Sequence, residues 1–207
     1  MKSEEKRSSL TILRPCGLVS PDFFQAVAAV VQRYQLTTYL STAQNLRLLQ
    51  VKDSDRRAIM DELAAQGARF KGEMKFPLPR VCVSTPHCKL GKTDTFGLSD
   101  RIVERFGNLE EIKPKIKIAI SGCPVACAGS LTTDIGVIAT RSGLDVYVGG
   151  KLGAYPKVGR RILRRVDAER VLEVIEELVS YHYRKTKIKQ RLYKYLNEPD
   201  FPYPEAV

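Results

Sequence analysis

The chain has 207 residues, 43% of them hydrophobic, and its 34 lysines and arginines outnumber 23 acidic residues, for a formal net charge of +11. This length supports one ordinary domain or two small ones around a real core, so disulfide staples are not needed for folding. The longest apolar run, residues 26–31, is far below the roughly 20 residues of a membrane span, and the polar start lacks the apolar core of a signal peptide. We therefore expect a cytoplasmic protein that does not associate with a membrane.

The positive charge favours an anionic partner, which could be a nucleic acid, an acidic protein or a polyanionic small molecule. Basic residues cluster at 151–165 and 184–194, and a solvated face is the simplest interpretation of both runs. The chain has no zinc-finger spacing, no RNA-binding aromatic signature and no tryptophan. Nucleic acid is therefore not the expected partner.

The first 75 residues predict a compact domain in which strands and helices follow the order β-α-β-β-α. Its elements are a strand at 10–13, a helix capped by Ser20 that begins at Pro21, strands at 36–41 and 46–51, and a helix capped by Asp53 that stops at Gly67. This order indicates half of a ferredoxin-like sandwich, so we expect an α+β fold with a first domain over 1–75.

A basic link with two prolines, residues 71–80, separates this domain from a part of the chain with a different periodicity. The elements predicted there are strands at 81–84, 115–121, 134–139 and 144–150, a helix at 94–107, an amphipathic helix opened by Asp167, and a second basic helix that ends near Asn197. We expect a second domain over 76–166, followed by C-terminal helices and a tail over 167–207.

Four of the five cysteines lie in the second part of the chain as two pairs, Cys82-x5-Cys88 and Cys123-x3-Cys127. Each pair follows a predicted strand and lies in a loop rich in Gly, Pro and Ser. Four thiolates suit zinc or an iron-sulfur cluster. The x5 spacing and the proline after Cys123 fit zinc poorly, so the spacing favours an iron-sulfur cluster, while zinc or two buried structural pairs remain as alternatives.

The pattern C-x5-C, then GCP-x-x-C, DIG at 134–136 and a glycine pair at 149–150 resembles the sirohaem and 4Fe-4S module of the nitrite and sulfite reductase family. The N-terminal part resembles that family's ferredoxin-like half-domain, with STAQN at 41–45 in the place of a Thr-x-Arg-Gln signature. The resemblance covers about residues 10–165, and the length is similar to that of the small, single-repeat, assimilatory-type sulfite reductases. It implies an α+β protein in which a mixed α/β cofactor module follows the half-domain.

The resemblance also implies roles for individual residues toward the two cofactors. The 4Fe-4S cluster would be bound by Cys82, Cys88, Cys123 and Cys127, and Cys127 would also ligate the sirohaem iron. The expected sirohaem contacts of the half-domain are Arg14, Thr42, Gln44 and Arg47, where Arg47 replaces the signature arginine because Ala43 occupies its position.

Three basic residues are expected to act on the substrate, a small oxyanion that needs fixed cations and proton donors. Lys115 and Lys117 lie two residues apart on a predicted strand, and hence on one face. The family carries a lysine pair in this place and uses it on the substrate, and Arg80 lies near a substrate-contacting arginine of the family. The alternative for the lysines is the solvent face of an amphipathic strand.

These expectations combine into a sirohaem- and 4Fe-4S-dependent reductase that converts sulfite to sulfide. The alternatives are nitrite reduction by the same apparatus, an iron-sulfur electron carrier without catalysis, and a zinc-stabilised nucleic-acid binder. No Rossmann or flavin fingerprint is present, so electrons would come from a separate donor such as an acidic ferredoxin. Because larger members contain two copies of this unit, we expect a homodimer in which Lys115 and Lys117 of one subunit lie over the sirohaem of the other.

Overall fold

The computed structural model describes residues 6–187 and 190–206, which form two compact units divided after Met74. Each unit is built around its own β-sheet. Within the described residues, no helix is both long enough and apolar enough to cross a membrane. The described residues 167–187 and 190–206 lie within the second unit.

The first unit is a four-stranded antiparallel sheet with two helices. Its elements are β1 (Arg7–Leu13), α1 (Pro21–Arg33), β2 (Thr37–Leu40), β3 (Leu46–Lys52), α2 (Arg56–Ala64) and β4 (Arg69–Phe70), with a short 3₁₀ helix at Pro15–Gly17. The strand order is β2-β3-β1-β4. The predicted order of the first five elements is therefore present, and β4 closes the second edge of the sheet.

The predicted start of α1 is correct, because the Ser20 side chain accepts the backbone N–H of Phe23 and Pro21 occupies the first turn. The predicted start of α2 is wrong. That helix begins at Arg56 after Asp55, whereas Asp53 lies at the end of the sheet, where its carboxylate accepts the Ser8 hydroxyl. β4 was missed because a strand of two residues is too short to show a period of two.

The second unit is a five-stranded mixed sheet with helices. Its elements are β5 (Arg80–Val81), α3 (Ser84–His87), α4 (Thr95–Phe106), β6 (Ile118–Ser121), β7 (Ile135–Thr140), β8 (Gly143–Val148), β9 (Arg160–Val166) and α5 (Ala168–Lys185), with 3₁₀ helices at Ser130–Thr132 and Leu192–Lys194. The strand order is β5-β6-β7-β8-β9. The first three strands are parallel to one another, and β8 and β9 continue the sheet antiparallel.

The core of this unit lies between β6, β7 and the helices. Every residue of β6 is buried, and β7 is buried from Ile135 to Ala139, as expected for central strands covered on both faces. α5 is capped by Asp167, whose side chain accepts the Arg170 N–H, and it buries an apolar face that includes Val171, Ile175 and Leu178. The buried sheet fixes the ends of β5 and β6, where the site residues lie.

Three predictions for the second unit need correction. β6 begins at Ile118, so Lys115 and Lys117 precede the strand, and Lys115 has a positive φ of 86°. β9 was missed because four arginines among its seven residues hide the strand pattern. The predicted second basic helix is also wrong. In the described part from residue 190 onward, the chain forms a single 3₁₀ turn. Its backbone carbonyls bond to other parts of the unit instead of to a helix, and the Leu196 carbonyl, for example, accepts Arg160 Nη2 at 2.9 Å.

Candidate functional site

The first cysteine of each pair lies at the carboxyl edge of two neighbouring parallel strands. Val81 of β5 is opposite Ile120 of β6, and the backbone N–H of Cys82 continues the ladder by donating to the Ile120 carbonyl. Cys123 follows β6 after one glycine, and the N–H of that glycine, Gly122, donates to Cys82 Sγ at 3.1 Å. This hydrogen bond fixes the Cys82 sulfur next to the start of the second cysteine pair.

The second cysteine of each pair lies in a tight turn beyond the strand. The Cys88 N–H donates to the Ser84 carbonyl at 2.7 Å, at the end of α3. Cys127 lies between Ala126 and Gly129, which both have positive φ, and its side chain is exposed while Cys123 is buried. Left-handed residues in such a turn point backbone amides toward one side, which suits a negatively charged cluster.

The two cysteine loops interlock at Gly122, which has no room for a side chain. A Cβ atom at this position would lie 1.9 Å from Ser84 Oγ and 2.4 Å from Ser84 Cβ. Ser84 is itself buried and its hydroxyl donates to the Thr93 carbonyl at 2.6 Å. The close approach therefore fixes the spacing between the Cys82–Cys88 loop and the Cys123–Cys127 loop.

We expect Gly122→Ala to destabilise the protein by about 1–3 kcal/mol, because the new methyl group overlaps Ser84. Urea unfolding of the apoprotein measures this change. The double variant Ser84→Gly/Gly122→Ala removes the overlapping atoms, and glycine also suits the positive φ of 41° at position 84. The double variant should therefore be more stable than the sum of the two single changes predicts, and strict additivity would contradict the contact.

The two cysteine loops supply the donors for a metal centre. Cys82, Cys88, Cys123 and Cys127 are free thiols on two adjoining loops. This donor chemistry fits an iron-sulfur cluster, and it also fits a structural zinc ion.

A group of cations surrounds Asp134, whose side chain is completely buried at the start of β7. Asp134 Oδ2 accepts the backbone N–H of Lys117 at 3.1 Å, and Oδ1 accepts Arg191 Nε at 2.7 Å and the Leu192 N–H at 3.3 Å. Burial raises the pKa of Asp134, while its hydrogen bond to Arg191 and the charge of that residue lower the pKa. The carboxylate is therefore a buried acceptor that joins two segments of the chain.

The positive charges around Asp134 exceed its single negative charge. Partial burial lowers the pKa of Lys117, and the charges of Arg191 and Arg80 lower it further. Burial likewise lowers the pKa of Arg80, again with a contribution from Arg191. Lys115 and Lys117 are both exposed, and the charge of Lys115 acts on Lys117 more weakly than those of Arg191 and Arg80. The structure thus brings the predicted residues Arg80, Lys115 and Lys117 within electrostatic range of one another.

Sequence reasoning missed Arg191 and the central place of Asp134. Arg191 lies in the basic run 184–194, which has the composition of a solvated face. Asp134 is visible in the sequence only as a motif residue, but it precedes an apolar run that becomes a buried strand. A carboxylate at the entrance of a buried strand is the signal that indicates a buried charge with a cationic partner.

Three of the four residues predicted to contact sirohaem in the first unit, Arg14, Thr42 and Gln44, lie close to one another. The turn between β2 and β3 holds Thr42, which is exposed, and Gln44, which has a positive φ. This turn packs on the segment after β1, since the Arg14 N–H donates to Asn45 Oδ1 at 3.0 Å. The turn also lies close to Gly17, because a Cβ atom added to that glycine would be 3.2 Å from Gln44 Cβ. Arg14, Thr42 and Gln44 therefore belong to one surface region.

The side chains of the two arginines in this unit are held differently. The Arg14 guanidinium lies 4.2 Å from the centre of the Phe23 ring and donates to the Leu18 carbonyl, and burial lowers its pKa. Arg47 lies on β3, where its Nη2 donates to Ser9 Oγ at 2.6 Å and its Nε is buried without an acceptor among the described residues. A buried guanidinium nitrogen without an acceptor is compatible with an additional anionic ligand.

The lysines and the cysteines of the second unit are not brought together. Lys117 directly precedes β6 and Cys123 follows it, so the extended chain separates the two residues by roughly 20 Å at about 3.3 Å per residue. Arg80 lies closer to the cysteines, because it is two residues before Cys82. A Cβ atom added to Gly129, just after the second cysteine pair, would be 3.2 Å from Arg80 Nη2. A single copy of the unit therefore places Lys115 and Lys117 away from the first cysteine of the second pair.

Comparison with known proteins gives two family matches that cover most of the chain. Residues 1–66 match the nitrite/sulfite reductase ferredoxin-like half domain, and residues 78–201 match the nitrite and sulphite reductase 4Fe-4S domain. The chain is 26% identical over 185 residues to the assimilatory-type sulfite reductase of Nitratidesulfovibrio vulgaris, covering 89% of this chain and 84% of that protein. It is 32% identical to the nitrite reductase [NAD(P)H] large subunit of Klebsiella oxytoca, covering 84% of this chain but only 18% of that one.

Solved structures share the fold. The Mycobacterium tuberculosis NirA protein matches 93% of this chain with a TM-score of 0.73 at 20% identity, over 40% of its own length. Dissimilatory sulfite reductase I matches 91% of this chain with a TM-score of 0.78 at 14% identity, over 66% of its own length. The predicted α+β fold is therefore confirmed.

These matches confirm the predicted oxidoreductase class, with a 4Fe-4S cluster and sirohaem as its cofactors. The 4Fe-4S match includes all four predicted ligands and the cation group around Asp134. With one family model over the first unit and the other over the second, the chain belongs to the nitrite and sulfite reductase family.

Proposed function

We propose that the chain is a sulfite reductase that converts sulfite to sulfide. The observation that carries this proposal is the surplus of cations around buried Asp134, in the same unit as the four thiols. A small anion such as sulfite is the ligand that such a surplus favours. The assimilatory-type sulfite reductase that matches the chain over 84% of its own length supports this choice of substrate.

Cys82, Cys88, Cys123 and Cys127 are the ligands that would hold the cluster, and exposed Cys127 is the thiolate that would also reach the sirohaem iron. When bound, the two groups supply electrons and an iron site for the substrate. The sirohaem carboxylates would be met by cations and donors of the first unit, Arg14, Thr42, Gln44 and Arg47.

The basic residues have two tasks in this reaction. Arg80 and the lysines bind the oxygen atoms of the anion and offset its charge. Each oxygen that is removed as water also requires protons, and a lysine ammonium can donate them. Partial burial and neighbouring charges lower the pKa of Lys117, which makes its Nζ a stronger acid than an ordinary lysine.

We further propose that the working form is a homodimer, in which Lys115 and Lys117 of one subunit lie over the sirohaem of the other. The separation of Lys117 from Cys123 along β6 supports this arrangement, because one copy leaves the lysines apart from that cysteine. Isologous pairing of two copies would supply both sets of residues twice. A protein that is fully active as a monomer at nanomolar concentration would contradict it.

The electron donor is proposed to be a separate acidic protein such as a ferredoxin. The formal net charge of +11 favours electrostatic steering of an acidic partner. Cys82, Cys88, Cys123 and Cys127 are free thiols in the structure, which suits the reducing cytoplasm as the proposed location.

Nitrite reduction is the second candidate. Its support is the 32% identity to a nitrite reductase large subunit and the similarity to other nitrite reductases over most of this chain. Nitrite needs the same cations and proton donors as sulfite. The two substrates therefore have to be separated by measurement.

The proposal is tested with protein purified without oxygen from a host that makes sirohaem. Its visible spectrum is recorded, iron, sulfide and zinc are assayed, and turnover is measured with sulfite and with nitrite under a chemical reductant. We expect a haem-like spectrum, cluster iron, and a higher kcat/KM for sulfite. A higher kcat/KM for nitrite would favour the second candidate, and a brown protein without a haem spectrum would favour an electron carrier.

A further inference from the structure

The C-terminal segment that follows α5 brings an arginine into the cation group. Leu192 is completely buried, and the carbonyl of Gln190 lies 2.9 Å from His182 Nε2. Further along, Arg160 Nη2 donates to the carbonyls of Leu196 and Tyr203. The described segment 190–206 is thus held on the second unit at several points, and Arg191 has a defined position.

Asp134 fixes this arginine and the segment before β6 at the same time. Its Oδ1 pairs with Arg191 Nε at 2.7 Å, while its Oδ2 holds the Lys117 backbone at 3.1 Å. Arg191 Nη2 also donates to the Gly150 carbonyl at 3.2 Å. One buried carboxylate therefore sets the distance between Arg191 and Lys117.

The arginine has donor capacity beyond these contacts. A guanidinium has five N–H donors in a rigid fork, and the described bonds of Arg191 use Nε and Nη2. Its side chain is 22% exposed, so part of it is accessible to a small ligand. Planar guanidinium forks suit oxyanions, with which they form bidentate hydrogen bonds.

The charge balance argues for a ligand. A purely structural ion pair needs one cation for the one carboxylate, but the charges of Arg80, Lys117 and Arg191 act on one another around Asp134. Their mutual repulsion is unfavourable in the free protein. A bound anion would reduce that repulsion.

We infer that Arg191 is a fourth oxyanion-binding side chain of the substrate site, in addition to Arg80, Lys115 and Lys117, and that Asp134 is its positioning residue. The inference rests on the proposed function, because it assigns the ligand of Arg191 as the sulfite or nitrite on which the site acts.

The test is calorimetric titration of sulfite into the holoprotein, together with KM and kcat. We expect Arg191→Gln to raise the Kd and the KM for sulfite roughly ten- to a hundred-fold, as for loss of hydrogen bonds to a charged group, with a smaller change in kcat. Lys194→Gln is the matched control, since this exposed lysine lies three residues further on the same segment. It should change Kd by less than about two-fold, because a rim charge contributes little to affinity.

Asp134→Asn tests the positioning role. If Asp134 acts through Arg191, the double variant Asp134→Asn/Arg191→Gln should bind sulfite about as weakly as Arg191→Gln alone, whereas independent effects would multiply. Thermal unfolding of each variant identifies the folded ones. Should Arg191→Gln not fold, Arg191→Lys keeps the charge and loses the fork, and it should still weaken binding several-fold.

An unchanged Kd and KM in a folded Arg191 variant would overturn the inference while the wild-type protein still reduces sulfite, so the proposed function would stand. A wild-type protein that binds sulfite without reducing sulfite or nitrite would overturn the proposed function, and the Arg191 variants would still test the anion site. A wild-type protein that binds neither anion would overturn both.

Discussion

Replacing Cys123 with serine is expected to leave the purified protein without its iron-sulfur cluster. A serine hydroxyl is not deprotonated near neutral pH, so it cannot replace a thiolate ligand. Cys123 is also buried next to Gly122, whose N–H points at Cys82, so no mobile surface cysteine can take its place. Iron and acid-labile sulfide should fall to background, and catalytic turnover should be lost with them.

The matched control is Cys16→Ser. Cys16 is also buried, but it lies in the first unit, in the turn Pro15–Gly17. This variant removes one thiol that is not part of either cysteine loop, so its iron and sulfide should equal those of the wild type. Wild-type iron in folded Cys123→Ser would show that Cys123 is not a ligand, and loss of iron in folded Cys16→Ser would show that the ligand set is incorrect.

The cysteine loops could be predicted well from the sequence because each follows a strand that the sequence also predicts. Val81 and Ile120 belong to apolar segments that end in Cys82 and in Gly122-Cys123, and parallel pairing places both ends at one edge of the sheet. The sequence does not show that the strands pair, nor that Gly122 meets Ser84. Those contacts join residues about forty positions apart and depend on tertiary packing.

The cation site was predicted less completely. A strand over 115–121 would place Lys115 and Lys117 on one face, but the strand starts at Ile118 and the lysines precede it. The position of Lys117 is set instead by Asp134, which accepts the Lys117 N–H from a position at the start of β7. The contribution of Arg191 depends on the path of the chain after α5, where residues 190–206 contain no regular periodic pattern that could place them.

Replacing Lys117 with methionine is expected to lower kcat/KM for sulfite by roughly a hundred- to a thousand-fold, the range found when one donor to a developing charge is removed. Methionine keeps much of the length of the side chain, and the Lys117 backbone N–H that binds Asp134 is unchanged, so the fold should be preserved. Lys194→Met removes the same charge from an exposed position outside the site and should stay within about two-fold of the wild type. Equal losses in both variants would mean that only overall charge matters.

The pH dependence gives an independent measure of the same group. Partial burial, and then the charges of Arg191 and Arg80, lower the pKa of Lys117 from its ordinary value. The ammonium form is therefore present at low pH and is lost as the pH rises through this lowered pKa, so the wild-type kcat/KM should decline at a pH below the ordinary lysine range. Lys117→Met has no group to titrate there, and its residual activity should lack that decline, whereas Lys194→Met should keep it. A decline that persists unchanged in Lys117→Met would assign the titration to another group and remove Lys117 as the proton donor.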